Sequence, residues 1–318
     1  GEYRVLVIIP CRGIDYTLLK NLRSISSQDY KADYVAVVDD EYDRSIPYIK
    51  EAGIRYIISS YPCSKCSGKV KAISTAIDLY RNYEIYVIAD SDMSPERTWL
   101  RLLISPLQDQ NVGISTTFPY FLPAGGFWSK FKAVWGTVGQ SLMESDVTRF
   151  GWGGSLAFRK SLISQDMPFF SERISDDTAL TKICKKKDLR IAYVREARPM
   201  VESPENFREF YEWANRQTAL SIAASKNVFY YGIIFYSLYI FLFISAFVLS
   251  FYDPVFVVLF APTVIGIIKM YQRTVIKKPS FALIYIIMPF FYMANLLKAR
   301  TMKSITWRGR NYCLLNEE

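Results

Sequence analysis

Between Val228 and Tyr252 the chain runs for 25 residues without one charged side chain. A bilayer core is about 30 Å thick, and about 20 apolar residues in a helix cross it, because a helix pairs its own backbone polar groups where no water can. No other feature narrows the possible folds as much. Two shorter uncharged runs follow, Pro254–Ile268 and Pro279–Leu297, the second carrying Pro289 near its centre. The first crosses only if Lys269 snorkels. Lys269, Arg273, Lys277 and Lys278 lie between the two runs. The preference of cationic loops for the cytoplasm puts that loop inside, with the N-terminal part of the chain. A third full crossing then carries the basic tail (Lys298, Arg300, Lys303, Arg308, Arg310) outside, so either the third run is re-entrant or interfacial, or the charge rule fails. The expectation is two to three membrane helices over 227–298 and a basic tail over 299–318.

The 226 residues before this region have a different grammar. Val5–Pro10, Tyr34–Asp39, Ile54–Ser59, Ile85–Ala89 and Val112–Thr117 read as short buried strands. Leu18–Ser26, Val70–Arg81 and Arg97–Leu103 read as the helices between them. Such alternation predicts an α/β layer with a largely parallel sheet, in which ligands bind beyond the C-terminal strand ends. Three polar clusters fall there: Pro10-Cys11-Arg12, Asp39-Asp40 and Asp90-Ser91-Asp92. After the last, Ser94-Pro95-Glu96 reads as a helix start, with a cap, a first-turn proline and an acid near the positive helix end.

Histidine is absent, which excludes a Ser-His-Asp triad and any His-ligated metal. Chemistry must rest on Asp, Glu, Lys, Arg, Tyr or Cys. The formal net charge of +9 suits an anionic membrane face or a phosphorylated ligand. Nucleic acid is not expected, since the basic residues are dispersed and no recognition motif occurs. Five cysteines, without a secretory signal at the start of this sequence, point to a reducing compartment. Cys63 and Cys66 have redox or zinc spacing, but a zinc site needs Cys11 and Cys184 to complete it.

Two carboxylates spaced D-x-D on a turn form a plausible site for Mg²⁺ or Mn²⁺, hard cations that take oxygen ligands and often hold substrate phosphates as well. Lys69 and Lys71, in "SGKVKAISTAI", open a helix beside the same edge and favour a bound phosphate. The stretch "GGFWSKFKAVWGTVGQSL" is amphipathic: Phe127, Phe131, Val134, Trp135, Val138 and Leu142 share a face, with Lys130 and Lys132 away from it. Over about 125–145 this suits a helix lying in the membrane interface, or else an ordinary surface helix.

"VLVIIPCRG", "VVDDEYD", "SGKVKAISTAI", "ADSDM", "GWGGSLAFRK" and "SDDTAL" occur in an order and spacing that resemble family-two, nucleotide-diphospho-sugar-dependent glycosyltransferases. The resemblance covers nearly the whole chain. It implies a GT-A fold, a Rossmann-like catalytic domain over 1–226, followed by transmembrane helices. That arrangement looks like the cellulose-synthase-like and ceramide-glucosyltransferase-like branch, and the tail "ITWRGRNY" is similar to ceramide glucosyltransferase tails.

Carried over by motif, the resemblance implies roles. Pro10, Arg12, Asp39 and Asp40 hold the nucleoside, and Lys69 approaches the diphosphate. Asp90 and Asp92 bind the divalent cation, Asp92 the more direct ligand. Asp176 joins the donor-binding set, and Asp177 matches the base that takes the proton from the acceptor hydroxyl, with inversion at the anomeric carbon. The Asp176-Asp177 pair also reads simply as the acidic start of a helix. The branch carries a (Q/R)-x-x-R-W signature, and here the matching stretch is "EWANRQTAL". Arg216 keeps the arginine, Trp213 replaces the first residue and Gln217 the tryptophan. That departure argues for transfer of a single sugar rather than polymerisation, with Trp213 and Arg216 as contacts for acceptor or diphosphate.

The implied activity is an integral-membrane hexosyltransferase working at the cytoplasmic face. The donor implied is GDP-mannose and the acceptor a lipid or polyprenyl-phosphate-linked glycan. UDP-glucose with a ceramide-like lipid is the alternative, and a catalytically degenerate membrane scaffold is the alternative outside enzymology. A nucleotidyltransferase fits less well, because it favours a Gly-rich N-terminal loop that this sequence lacks.

Overall fold

The computed structural model describes residues 3–317. From the N-terminus the elements are β1 (Val5–Pro10), α1 (Leu18–Ser26), β2 (Asp33–Val38), α2 (Ile46–Glu51), β3 (Arg55–Ile58), α3 (Gly68–Leu79), β4 (Ile85–Ala89), β5 (Met93–Ser94) and α4 (Trp99–Ile104). Next come β6 (Val112–Thr116), β7 (Tyr120–Pro123), α5 (Phe127–Met143), β8 (Ser155–Arg159), α6 (Lys160–Ile163), α7 (Met167–Phe170), α8 (Asp176–Lys186), β9 (Arg190–Tyr193) and β10 (Met200–Ser203). The chain closes with α9 (Phe207–Ala224), α10 (Asn227–Leu249), a 3-10 segment (Pro254–Phe260) running into α11 (Ala261–Arg273), α12 (Ser280–Thr301), and the hairpin β11 (Ser304–Trp307) and β12 (Arg310–Cys313). The result is a mixed α/β fold with a parallel-rich sheet and three apolar C-terminal helices.

Two compact units emerge. The first comprises the residues through Phe121 together with Gly139–Glu202, the second Leu122–Val138 together with the chain from Ser203 onward. Helix α9 therefore groups with the apolar helices rather than with the sheet, whereas the sequence carries the catalytic domain through 226.

The seven-stranded sheet of the first unit has the order β3-β2-β1-β4-β8-β6-β9. Strands β3, β2, β1 and β4 are parallel, β8 runs antiparallel to β4 and β6, and β6 is parallel to β9. Strand residues alternate between two cores, as pleating requires. Val5, Val7, Ile9 and Val87 pack with Leu18, Leu22 and Ile25 of α1 and Trp99 and Leu103 of α4. Leu6, Ile8, Tyr86 and Ile88 pack with Val70, Ile73 and Ile77 of α3 and Leu180 and Ile183 of α8. Burial on both faces explains why these strands read as unbroken apolar runs.

The helix expected from Ser94 begins instead at Trp99. Met93 and Ser94 are extended and pair antiparallel with Val201 and Met200 of β10. Met93 is fully buried, so the strand pairing and this burial outweigh the local capping signal.

In the second unit α9 starts with a capping box, Asn206 and Glu209 each bonding the other's backbone amide. Helix α5 forms where the sequence places it, but its aromatic face is buried against protein. Phe131 packs on Phe210 at a 5.2 Å centroid distance, and Trp135 stacks on Tyr292 at 3.6 Å. Phe127 and Leu142 are exposed. Lys132, expected away from the apolar face, is buried in an ion pair with Glu205 and lies 4.6 Å from the Trp213 ring centre. Helices α9 and α12 supply aromatic partners that a single-helix pattern cannot reveal.

Candidate active site

The parallel register of β2, β1 and β4 brings their C-terminal ends to one edge, and the antiparallel β8 brings its N-terminal end there too, Ala89 opposite Ser155. Around Asp90 the groups gather tightly. Lys69 enters from the first turn of α3, whose cap Ser67 accepts the Val70 amide. Its ammonium lies 2.7 Å from Asp90 and 3.3 Å from Asp176, and donates to the Gly153 carbonyl at 3.1 Å. The Gly153 amide donates to Asp177 Oδ2 at 3.1 Å, while Asp177 Oδ1 accepts from the Ser175 hydroxyl at 2.5 Å and the Thr178 amide at 2.8 Å. Asp177 is thus fixed in orientation by groups on two segments.

Asp176 is buried at the first turn of α8, and its Oδ2 has the ionic contact with Lys69 but no aligned hydrogen bond. Burial pushes its carboxyl up to about 7, with Lys69 opposing and Asp177 and Asp90 assisting. For Lys69 burial works against the charge, but Asp176, Asp90 and Asp177 outweigh it and hold the ammonium above its ordinary range. With three carboxylates around one cation, Lys69 stays charged.

Ser91, between the two aspartates of the D-x-D turn, is buried, its hydroxyl bonded to Asp15 and its carbonyl accepting from Asn21 at 3.0 Å. These contacts tie the loop after β1 to the loop after β4 and fix the turn on which Asp90 and Asp92 sit, both half-buried. Carboxylate donors alone suit a hard cation. Among the described residues no three Cys, Asp or Glu side chains gather as a metal cage. Two carboxylates fit a hard cation of the kind that draws its remaining ligands from phosphate and water oxygens.

The other expected residues fall into two groups. Arg12 and Asp39 face each other at 3.4 Å beyond β1 and β2, two residues after Pro10 and one after Val38. Asp40 is exposed and accepts the Tyr42 amide at 2.8 Å, so it caps its own turn. Trp213 and Arg216 lie in α9 of the second unit, with partners of their own: Arg216 is 5.8 Å from the Trp307 ring centre, and burial, then Arg308, pulls its guanidinium down to about 10.

Gly153 is the residue that sequence reasoning names only inside a motif. A Cβ there would stand 2.6 Å from Asp176 Oδ2 and 3.1 Å from Lys69 Nζ. The Gly-Gly doublet is the only local sign of it. Zinc at the cysteines does not materialise. Cys63 and Cys66 are joined as a disulfide, and Cys11 and Cys184 are buried free thiols bonded to the carbonyls of Ile9 and Leu189. The Cys63–Cys66 loop is clamped by Glu172, which accepts from the Ser64 and Lys65 amides at 3.2 Å and 3.1 Å. It leads directly into Ser67 and α3.

Residues 3–318 match the family model described as Glycosyl transferase family 21. Among solved structures, the chain is similar to the mannosyltransferase PcManGT from Pyrobaculum calidifontis, solved with GDP-Man and Mn²⁺. The identity is 16% and the TM-score 0.53, over 94% of this chain and 86% of that one. It is also similar to glucosyl-3-phosphoglycerate synthase from Mycobacterium tuberculosis, solved with Mn²⁺ and UDP-glucose, at 13% identity and a TM-score of 0.49, over 70% and 79% of the chains. No functionally curated protein matches the sequence.

Proposed function

From the glycosyl transferase family 21, to which this chain belongs, we propose an inverting, cation-dependent transfer of one hexose from a nucleotide-diphospho-sugar to a hydroxyl of a lipid or lipid-linked acceptor. The observation that carries it is Lys69 held between Asp90 and Asp176, beside an oriented Asp177, at the C-terminal end of β4. Arg12, after the neighbouring strand β1, and Asp39, after β2, are the groups assigned to the donor nucleoside, supported by their place at the same sheet edge.

Lys69 binds and neutralises the diphosphate, turning from Asp90 toward the phosphate oxygens. A cation on Asp90 and Asp92, when bound, supplies further charge neutralisation to the departing diphosphate. Asp176 keeps Lys69 aimed into the site. Asp177 receives the proton from the acceptor hydroxyl as that oxygen forms its bond to the anomeric carbon and the bond to the diphosphate breaks. Attack opposite the leaving group inverts the anomeric configuration. Both Asp177 oxygens are already hydrogen-bonded, so the carboxylate is positioned before substrate arrives.

GDP-mannose is the donor proposed, in keeping with the mannosyltransferase that shares the fold, and the catalytic unit is placed on the cytoplasmic side, where the basic flank Lys226 favours it. A second reading, glucose from UDP-glucose to a ceramide-like lipid, is favoured by the tail. "ITWRGRNY" forms the β11–β12 hairpin, turned at Arg308-Gly309 with positive φ at both, and Trp307 faces Arg216. Purified full-length protein with Mn²⁺ and either nucleotide-sugar decides between them, read as release of GDP or UDP. Release of GDP alone supports the first reading and of UDP alone the second. Release of neither, with the acceptor lipids present, leaves a silent membrane scaffold.

A further inference from the structure

Helices α10 and α12 pack antiparallel. Phe229 of α10 lies 5.6 Å from the Arg300 guanidinium. One turn on, Gly232 meets Leu296, so closely that a Cβ would stand 2.8 Å from Leu296 Cδ1. A further turn on, Tyr236 stacks on Tyr292, 4.9 Å apart and within 6° of parallel. As numbering rises along α10 it falls along α12. The start of α12 therefore lies at the end where α10 finishes.

That places both ends of the segment between them. Pro254 follows the end of α10 by a short turn, and Arg273 is six residues short of Pro279 at the start of α12. Those six residues reach about 20 Å fully extended, whereas α10 with 23 residues is about 35 Å long at 1.5 Å per residue. The connection is not stretched at all: the Tyr271 hydroxyl donates to the Lys278 carbonyl at 2.7 Å. Midway along α11, a Cβ on Gly266 would stand 2.2 Å from the Tyr285 hydroxyl, in the second turn of α12.

We infer that α10 and α12 are the two membrane crossings, and that Pro254–Arg273 enters lipid from one membrane face and returns to that same face. Its mean hydropathy of 1.9 and length of 20 residues suit a span by composition, and Val255, Val258, Val264, Ile265 and Ile268 are exposed, as lipid-facing side chains are. Connectivity nevertheless denies it a crossing. The tail thereby escapes the parity conflict, and the breach of the charge rule moves to Lys269, Arg273, Lys277 and Lys278, which the sequence puts on the same side as the N-terminal part. The re-entrant run is the second, not the third, and the basic tail shares a face with Lys226. The loop 274–279, with its basic flank, goes to the opposite face.

Sealed proteoliposomes of the full chain carrying Cys313→Ser, with one of Tyr252→Cys, Lys277→Cys or Lys303→Cys, test this with a membrane-impermeant maleimide added before or after detergent. All three positions are exposed. Within any one orientation, positions 252 and 277 should label together and 303 from the opposite face. Labelling of 277 opposite 252, whichever face 303 takes, overturns the inference. So does labelling of all three from one face, which would mean that α12 does not cross. Equal labelling of the three variants in detergent confirms that each cysteine is reactive.

Discussion

At the scale of single residues, the site depends on groups that hold the reactive ones. Asp177→Asn should keep donor affinity and lower turnover on the order of a hundredfold or more, because only acceptor deprotonation needs the carboxylate. Donor binding by titration and product release separate the two. If binding fell as far as turnover, Asp177 would be a binding group. Gly153→Ala places a methyl against Asp176 and Lys69, which must then part. Overpacking of this kind costs about 1–3 kcal/mol, so this variant should melt lower and bind the donor more weakly, seen in a thermal-shift series with nucleotide added. Asp176 gives a pH signature. Its folded pKa of about 7 exceeds the ordinary 3.8, so the folded state holds this proton more tightly than the unfolded chain does. The stability it contributes is full below 3.8 and is lost as pH rises toward 7. Thermal denaturation across that window should show a smaller decline for Asp176→Asn than for wild type. A decline of equal size would mean that Asp176 is ionised throughout.

At the scale of elements, two helix starts do the positioning. Ser67 caps α3 and so sets Lys69, and Ser175 caps α8 and so sets Asp176 and Asp177. Ser67 also donates its amide to the Arg173 carbonyl at 3.1 Å, so the two helix starts are tied together. Helix α5 shows how element and surroundings diverge. Its period of apolar residues was sufficient to predict a helix, but it fits a lipid surface and a protein groove equally well. In the structure Trp135 is buried against Tyr292 and Phe210. Trp135→Ala should therefore destabilise the second unit by about 3–5 kcal/mol, the usual cost of removing a buried aromatic, and show first in the melting of the detergent-solubilised protein. An unchanged melting temperature, with loss of lipid binding instead, would restore the interfacial reading.

At the scale of the whole molecule, one chain joins a sheet-based unit bearing the candidate donor site to a helical unit with three apolar helices. The proposed cation is bound between the donor and two carboxylates, so its removal should stop transfer without unfolding the protein. EDTA and Asp92→Ala should both abolish metal-dependent donor binding and transfer while leaving the melting temperature of the donor-free protein unchanged. Full activity in excess EDTA removes the cation from the mechanism, and a drop in donor-free melting would make it structural. The sequence alone determined the alternation of strands and helices, the edge where polar residues collect, and the presence of membrane-length apolar runs. Each of these is written in short-range periodicity, which backbone geometry converts directly into strand, helix or span. Only the tertiary structure decided that Met93 and Ser94 pair with β10, that Gly153 gives its amide to Asp177 and its carbonyl to Lys69, that Trp135 faces protein, and that Pro254–Arg273 returns to the face it left. Those outcomes depend on contacts between residues far apart in the chain, and a local pattern carries no record of which distant surface will meet it.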